Sequence, residues 1–330
     1  EERFWRVVQS ETETCLGPKC KWFRHHCFAF RARRRARDAQ VLVLNHALLF
    51  ADMATGNQIL PPFRHLIIDE AHHLEAVATQ NLGVNLENWD VLGALLYLSR
   101  SPGHGLLAQL RRRLPRGRSL PARPPVGLPS EDMLDKLTEL TARSREAADE
   151  LFRLCAQLVE ARGGADEEGG ARALRLTAAL RTGPLWEALD QARANAVQRL
   201  RTLATGLTAL AEAVEGLEPP LDDADAILVD ILKQNGILMQ SAQAIDDVLL
   251  DPEEGVVTWV ESAQRGDRVR VALRSAPINV GDLLRGDLFG RLRSVVMTSA
   301  TLTVGGSFAH LKQRLGLSAL PPDRVREGML

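Results

Sequence analysis

The sequence lacks the features that would mark a membrane or secreted protein. No apolar run approaches the roughly 20 residues that a membrane-spanning helix needs, and the opening Glu-Glu-Arg-Phe-Trp does not resemble a signal peptide. Cysteine is scarce, with 4 in 330 residues, and without a targeting signal these thiols argue for a metal or cluster site rather than a disulfide framework. These absences predict a cytoplasmic protein with no membrane partner.

An excess of charge of one sign is also lacking. The chain has 41 Lys and Arg against 42 Asp and Glu, a formal net charge of -1, so any surface for nucleic acid must be local. The composition is 45% hydrophobic and 25% charged, which is typical of globular domains, and the length predicts about two of them. The first residue is Glu rather than Met, so we expect a piece of a longer protein.

Three continuous apolar runs predict strands that are buried on both faces, as in a parallel α/β sheet. They are Gln40–Asn45, His65–Asp69 and Ser294–Thr298. Short buried helices are the alternative for each run.

Between the second and third runs the pattern becomes helical. Residues 87–250 are rich in Ala, Leu, Arg and Glu at helical spacing and are interrupted by Pro and Gly clusters, which predicts an inserted bundle of about four or five helices. Residues 256–261 and 268–273 then predict two strands joined by a turn at Gly266. The fold class predicted is therefore α/β, with a parallel sheet and an all-α insertion.

An acidic motif follows the second apolar run directly: Asp69-Glu-Ala-His72. Open α/β sheets bind ligands at the carboxyl ends of their strands. An Asp there can hold a Mg²⁺ that bridges nucleotide phosphates, and the adjacent Glu70 can orient or deprotonate the attacking water. His72, one turn further on, could respond to the phosphate state. The alternative is an acidic helix cap that stabilises a helix without chemistry.

A hydroxyl motif, Thr298-Ser-Ala-Thr301, follows the third apolar run. Ser299 and Thr301 are predicted to hydrogen-bond the acidic motif and to relay its state elsewhere. The alternative is an ordinary Ser/Thr turn or helix cap. The occurrence of both motifs at strand ends favours the functional interpretation.

Three cysteines cluster near the start of the sequence with the spacing Cys15-x4-Cys20-x6-Cys27. Thiolates at close spacing can hold an iron–sulfur cluster. Two alternatives stay open: a zinc site completed by His25 or His26, and unligated thiols.

The fourth cysteine, Cys155, is a poor ligand candidate. It shares an apolar helical stripe with Leu151, Leu154 and Leu158, and a buried structural cysteine is common. We expect it to lie in a core.

A basic segment from Lys19 to Arg37 holds eight Lys or Arg, no acidic residue and several aromatics. Cationic side chains neutralise phosphates and aromatic faces can stack bases, which suits single-stranded nucleic acid. The alternative is a solvated amphipathic helix. We assign most of the aromatics to a core and the following residues to DNA: Lys21, Arg24, Arg31, Arg33, Arg34, Arg35 and Arg37.

A second, weaker basic patch is predicted to be a solvated loop. Its members are Arg111, Arg112, Arg113, Arg116 and Arg118. Arginine outnumbers lysine throughout the chain, so such runs are partly a matter of composition.

Three segments in order, Asn45–Leu49, Ile67–Glu75 and Thr298–Leu302, resemble the DinG/XPD family of superfamily 2 DNA helicases. In that family the Asp-Glu-Ala-His box is motif II and the Ser-Ala-Thr segment is motif III. Both belong to the first RecA-like motor domain, and a helical Arch domain is inserted between them. Ala276-Pro-Ile278 and Leu288-Phe289 favour the bacterial DinG branch.

The resemblance implies a partial RecA-like sheet of the P-loop NTPase type, an inserted all-α Arch and a remnant of an iron–sulfur domain. The implied domains are the iron–sulfur remnant (1–36), motor domain 1 with motif II (37–86), the Arch (87–250), the return to motor domain 1 with motif III (251–312) and the start of a linker or motor domain 2 (313–330).

The resemblance also implies the activity and its cofactors. An ATP-dependent helicase would use ATP and Mg²⁺ to move along single-stranded DNA, 5′ to 3′, and to unwind forked DNA in repair or replication at the bacterial nucleoid. Cys15, Cys20 and Cys27 would be three ligands of a 4Fe-4S cluster whose fourth cysteine is expected upstream of residue 1.

The 330 residues contain no Gly-x-x-x-x-Gly-Lys-[Ser/Thr] phosphate loop, so we expect the chain alone not to hydrolyse ATP. The alternatives are an inactive nucleic-acid-binding module, the helicase-like part of an exonuclease-fused protein, and an RNA helicase. The cysteines and the long insertion argue against the RNA helicase.

Overall fold

The computed structural model describes residues 15, 17–20, 22–23, 26–114, 129–163, 165–166, 171–217, 221, 223–250, 254–266 and 268–328. It is a mixed α/β structure with a small parallel sheet, an antiparallel sheet and many helices. The chain divides into two compact units. We call residues 28–84, 253–257 and 275 onward the parallel-sheet unit. The helical unit holds residues 85–252, 258–274 and the described residues up to Cys27.

The helices in chain order are α1 (Phe28–Asp38), α2 (His46–Ala54), α3 (Leu74–Asn81), α4 (Asn88–Leu98), α5 (Leu106–Arg113), α6 (Glu131–Arg162), α7 (Pro184–Glu215), α8 (Ala224–Leu249), α9 (Gly281–Leu283) and α10 (Ala309–Arg314). The strands are β1 (His65–Ile68), β2 (Asn85–Glu87), β3 (Ala165–Asp166), β4 (Ala171–Arg175), β5 (Val256–Arg265), β6 (Arg268–Pro277) and β7 (Ser294–Met297). Within these ranges no helix is both long and apolar enough to cross a bilayer.

The parallel-sheet unit is built on β1 and β7, which pair in parallel with His65 opposite Ser294 and Ile68 opposite Met297. The strands predicted at 65–69 and 294–298 are therefore confirmed. One face packs on a core that includes Phe50, Ile68, Leu74, Leu284 and Leu315.

The other face of this parallel sheet carries exposed apolar side chains. Ile67 is 74% exposed and Val296 is 54% exposed. The prediction that these strands are buried on both faces is therefore wrong for the described chain. Only alternate residues of each strand turn toward the core, because successive side chains of a strand point to opposite faces.

The strand predicted at 40–45 is also wrong. Residues 41–45 have no regular structure between α1 and α2, and Val41 and Val43 are 80% and 97% exposed. An apolar run becomes a strand only when a neighbouring strand satisfies its backbone groups. In the part of the chain that the structure describes, the parallel sheet consists of β1 and β7 alone.

The described residues of the helical unit form five α-helices, α4 to α8, in agreement with the prediction of about four or five. The chain enters α6 at Ser130, whose side chain accepts a hydrogen bond from the Met133 amide, and leaves it at Gly163 in a left-handed conformation. The long helices α6 and α7 pack on each other, as do α7 and α8. Cys155 is fully buried on α6, as its position on the apolar stripe predicts, and burial raises the pKa of its thiol to about 12.

The all-α prediction for residues 87–250 is wrong, because two strands from this region join an antiparallel sheet with the order β2-β6-β5-β4-β3. The predicted hairpin is confirmed as β5 and β6. The strand β4 was missed because Ala171-Arg-Ala-Leu-Arg175 has the composition of the surrounding helices, and its pairing with β5 is a tertiary effect. Most of the hairpin lies in the helical unit, whereas the sequence grouped it with the return to the parallel sheet.

Candidate functional site

The acidic and hydroxyl motifs meet at one edge of the parallel sheet. Asp69 follows β1 and Thr298 follows β7, and parallel strands in register end on the same side. Pairing continues past the strands, since the Thr298 amide donates to the Ile68 carbonyl at 2.9 Å and the Ala71 amide donates to the Thr298 carbonyl at 3.0 Å. These bonds fix the two motifs side by side.

Glu70 occupies a left-handed backbone conformation, with φ 50° and ψ 44°. Such a conformation costs an L-residue about 1 kcal/mol or more. The turn is held by the Glu70 amide, which donates to Asp69 Oδ1 at 3.0 Å, and by the His73 amide, which donates to the Glu70 carbonyl at 3.0 Å. The Glu70 side chain makes no helix-capping hydrogen bond, whereas Asp69 Oδ1 accepts from a backbone amide, so an Asp69 cap with Glu70 in the first turn stays an alternative.

A polar cluster connects Glu70, Ser299 and His72. Ser299 Oγ donates to Glu70 Oε2 at 3.3 Å, and His72 Nδ1 lies 2.7 Å from Ser299 Oγ and 3.2 Å from Glu70 Oε2. A hydroxyl has one proton to donate. When Ser299 gives it to Glu70, His72 Nδ1 must be the donor to Ser299. The hydroxyl therefore joins the carboxylate to the imidazole across the two strands.

Asp69 presents its carboxylate beside this cluster. Thr298 Oγ1 donates to Asp69 Oδ1 at 3.4 Å, a long hydrogen bond, and His46 Nε2 lies 3.0 Å from the Asp69 backbone oxygen. Mg²⁺ is usually held by one or two carboxylates together with water and phosphate oxygens, and this donor set fits that mode. Among the described residues no three His, Cys, Asp or Glu side chains form a group that could hold a metal, so the nucleotide would have to supply ligands.

The structure thus brings together Asp69, Glu70, His72 and Ser299, while Thr301 takes part only through its backbone amide, which donates to Ser299 Oγ at 3.3 Å. The roles of all five remain predictions. Thr298 belongs to the hydroxyl motif that the sequence predicts to bond the acidic motif. Sequence reasoning missed the contact of His46, because its partner is a backbone oxygen.

A cavity of about 610 Å³ lies elsewhere in the parallel-sheet unit. It is lined by β7 and by residues from Leu302 to Gly328, and it includes neither Asp69 nor Glu70. The polar chemistry is therefore on the open sheet edge rather than in this cavity.

The cysteine cluster does not have the geometry of a metal site in the described residues. Cys15, Cys20 and Cys27 are half-buried free thiols, and they do not form a group that could hold a metal. Cys15 Sγ accepts a hydrogen bond from the Gly17 amide at 3.4 Å. The iron–sulfur assignment therefore stays a prediction from spacing and resemblance.

The second half of the basic segment forms the exposed helix α1 from Phe28, which carries Arg31, Arg33, Arg34, Arg35 and Arg37. Arg31 lies over the ring of Phe28 and Arg33 over that of Phe30, at 5.8 and 5.7 Å. Phe28 is 83% exposed and Trp22 is 53% exposed, so the assignment of these two aromatics to a core is wrong. Arg34, Arg35 and Arg37 are exposed on the same helix, whereas Lys21 and Arg24 lie outside the described residues.

Comparison with known proteins gives several similar sequences, although no family model matches the chain. The chain is 28% identical over 304 residues to the 3′-5′ exonuclease DinG of Bacillus subtilis, covering 91% of the chain and 31% of that protein. It is 28% identical over 326 residues to the ATP-dependent helicase DinG of Mycobacterium tuberculosis, covering 98% and 40%. It is 27% identical over 344 residues to the ATP-dependent DNA helicase DinG of Salmonella choleraesuis, covering 98% and 43%. The chain spans less than half the length of these relatives.

Proposed function

Because the chain is DinG-like, as these similarities show, we propose that it is part of an ATP-dependent DNA helicase and contains half of its nucleotide site. The observation that carries this proposal is the hydrogen-bonded cluster of Glu70, Ser299 and His72 at the ends of β1 and β7. The full-length protein would use ATP hydrolysis to move along single-stranded DNA and to open forked DNA.

Each side chain of the cluster has a distinct proposed role. Asp69 holds the Mg²⁺ that bridges the phosphates, and Glu70 orients the attacking water and accepts its proton. Glu70 lies in a left-handed turn, and its side chain makes no capping hydrogen bond to the following helix. The 330 residues contain no phosphate loop, so the proposal requires one elsewhere in the full-length protein.

Ser299 and His72 are proposed to couple the nucleotide state to β7. Loss of the terminal phosphate changes the charge that faces Glu70, and Ser299 Oγ is bonded to that carboxylate. If this hydrogen bond rearranges, the backbone that follows β7 shifts with it, because the Thr301 amide also donates to Ser299 Oγ. Ser299 and His72 are thus positioning residues rather than catalytic ones.

The arginines of α1 are proposed to contact the phosphates of single-stranded DNA. Arg31, Arg33, Arg35 and Arg37 are exposed, and an exposed guanidinium can release counterions from a nucleic-acid strand. The exposed ring of Phe28 supplies a face on which a base can stack.

A 4Fe-4S cluster on Cys15, Cys20 and Cys27 is proposed on spacing and resemblance alone, and no step of the mechanism depends on it. We expect anaerobically purified full-length protein to contain iron and sulfide with visible absorption, and Cys20→Ser to lose both. The control Cys155→Ser alters a thiol buried in α6 and should keep them. Stoichiometric zinc without iron would contradict the cluster and favour the zinc site.

A second candidate function is favoured by one relative. The Bacillus subtilis protein that the chain resembles is named a 3′-5′ exonuclease, so the chain would be the helicase-like part of a nuclease. Degradation of single-stranded DNA by the full-length protein, without unwinding, would favour this function over the first.

The helicase proposal is tested by Glu70→Gln in the full-length protein. Removing the base should lower the ATP hydrolysis rate by at least about 100-fold and abolish unwinding, while ATP still binds. The control Glu212→Gln changes an exposed carboxylate on α7 and should leave both activities intact. Normal unwinding by Glu70→Gln would remove Glu70 from the mechanism.

A further inference from the structure

We infer that the helical unit carries a pocket that binds phosphate groups, a site that contains none of the acidic-motif residues and does not depend on the proposed helicase activity. A cavity of about 540 Å³ lies where the α4–α5 turn meets α5 and α6. Its lining includes four arginines and three hydroxyl side chains and contains no carboxylate: Arg100, Arg111, Arg112, Arg145, Ser99, Ser101 and Thr138.

The local fold explains why these cations converge. The chain reverses between α4 and α5 through a tight turn in which the His104 amide donates to the Ser101 carbonyl at 2.9 Å and the Arg100 amide donates to the His104 carbonyl at 3.0 Å. Gly103 and Gly105 have φ of 79° and 119°, conformations that L-residues rarely adopt. The turn brings Arg100 to the cavity that Arg112, from the last turn of α5, also lines.

The charges of the pocket are only partly compensated. Arg111 is bonded to Asp135 and, at 3.2 Å, to Glu131. In the described part of the chain, no carboxylate lies within ion-pair distance of Arg100, Arg112 or Arg145. Arg145 does act electrostatically on Asp149, whose pKa is nevertheless raised by burial. Arg100, Arg112 and Arg145, which form no ion pair with a described residue, lie around one cavity and repel each other, and a bound anion reduces that repulsion.

Phosphate is the anion whose chemistry matches this lining. Guanidinium groups bind phosphate oxygens in pairs of parallel hydrogen bonds, and the Ser101 hydroxyl can add a single one, whereas Thr138 Oγ1 already donates its proton to the Leu134 carbonyl at 2.7 Å. The volume is within the range of small-ligand pockets, about 300 to 1,000 Å³. Leu107, Ala108 and Ala142 complete the lining and offer an apolar surface to an attached sugar. A nucleotide and the phosphorylated end of a strand share this chemistry.

The test is a titration of the 330-residue chain with inorganic pyrophosphate. Binding is measured by calorimetry and by the shift of the thermal unfolding midpoint. The variant Arg112→Gln/Arg145→Gln removes two uncompensated pocket charges. Its matched control, Arg143→Gln/Arg153→Gln, removes two charges of α6 that are paired with Glu139 and Glu150 on the exposed surface. We expect the pocket variant to bind pyrophosphate at least about tenfold more weakly and the control to bind like the wild type.

Two outcomes overturn the proposal. One is equal pyrophosphate binding by the wild type and the pocket variant, and the other is an equal loss in both double variants, which would indicate a general charge effect. Folding is checked without anion: because the removed charges repel each other, the pocket variant should unfold at the same temperature as the wild type or higher. A lower midpoint would assign these arginines a structural role and also overturn the proposal.

The source of the phosphate is identified by two further probes, a nucleoside triphosphate and a single-stranded oligonucleotide with or without a 5′ phosphate. Weaker triphosphate binding in the pocket variant assigns the site to a nucleotide. A loss seen only with the phosphorylated oligonucleotide assigns it to a strand end. If the pocket variant and its control bind every probe equally, the inference is contradicted. The helicase proposal does not depend on this result.

Discussion

At the scale of single residues, the conformation of Glu70 is favourable for its side-chain contacts and unfavourable for its backbone. Its left-handed backbone directs the carboxylate to Ser299 and His72, and the same backbone is unfavourable for any residue with a Cβ. Sites where local strain persists are often functional. We therefore expect stability and activity to respond in opposite directions to substitution here.

Glu70→Gly and Glu70→Ala form a matched pair, because both remove the carboxylate and only glycine relieves the backbone. Allowing for the greater freedom of glycine in the unfolded chain, Glu70→Gly should be more stable than Glu70→Ala by about 0.5 to 1 kcal/mol. Denaturant unfolding of the two variants measures the difference. Equal stability would show that the left-handed turn is not under strain.

The sequence predicts the environment of a residue when neighbouring positions form a regular apolar pattern. Asp69 and Glu70 were placed at a strand end because an apolar run precedes them, and Cys155 was placed in a core because it shares a stripe with Leu151 and Leu158. His46 was not predicted to approach Asp69, because the atom it contacts is a backbone oxygen. Every residue has such an oxygen, so no sequence pattern marks this contact.

At the scale of elements, the long amphipathic helices were predictable, as were β1, β7 and the β5–β6 hairpin, whereas the short segment 41–45 and the strand β4 were not. The apolar stripe of α6 repeats over 32 residues. Over so many turns, a few positions that break the pattern do not hide the helical period. The segment 41–45 and the strand β4 are short, and pairing with a neighbour decides whether each is a strand. Such pairing joins residues that are distant in the sequence, such as Arg175 and Trp259.

The packing of α7 on α8 includes a nearly buried ionic network. Asp246 on α8 accepts hydrogen bonds from Arg193 at 2.6 Å and from Arg201 at 2.9 Å, both on α7. The Asp246 side chain is 12% exposed and that of Arg193 is 14% exposed. Removing Asp246 takes one of two carboxylate partners from Arg193, a cation with little access to water, and leaves it with Asp190 at 2.7 Å.

Asp246→Ala should therefore lower the free energy of unfolding of the chain by about 2 to 3 kcal/mol, and Asp246→Asn by less. The neighbouring exposed Asp247 is the control. Asp247→Ala should change the free energy of unfolding by less than about 0.5 kcal/mol. Denaturant unfolding gives both values. A similar small loss for the two alanine variants would show that the network does not stabilise the helix pair.

At the scale of the whole molecule, β1 and β7 are neighbours although 229 positions separate His65 from Ser294. Most of the chain between them belongs to the helical unit, so the two halves of the candidate site are distant in sequence and adjacent in space. Spacing and hydropathy alone do not predict this adjacency. The resemblance to DinG-type helicases did, because it placed both motifs in one motor domain.

The central claim is that Glu70 and Ser299 act as one unit across the two strands. A double-mutant cycle on ATP hydrolysis by the full-length protein tests it, with Glu70→Gln, Ser299→Ala and the two combined. If the residues act as a unit, the combined variant hydrolyses ATP within about twofold of Glu70→Gln alone, even though Ser299→Ala by itself is about tenfold slower than the wild type. Effects that simply multiply in the combined variant would contradict the claim.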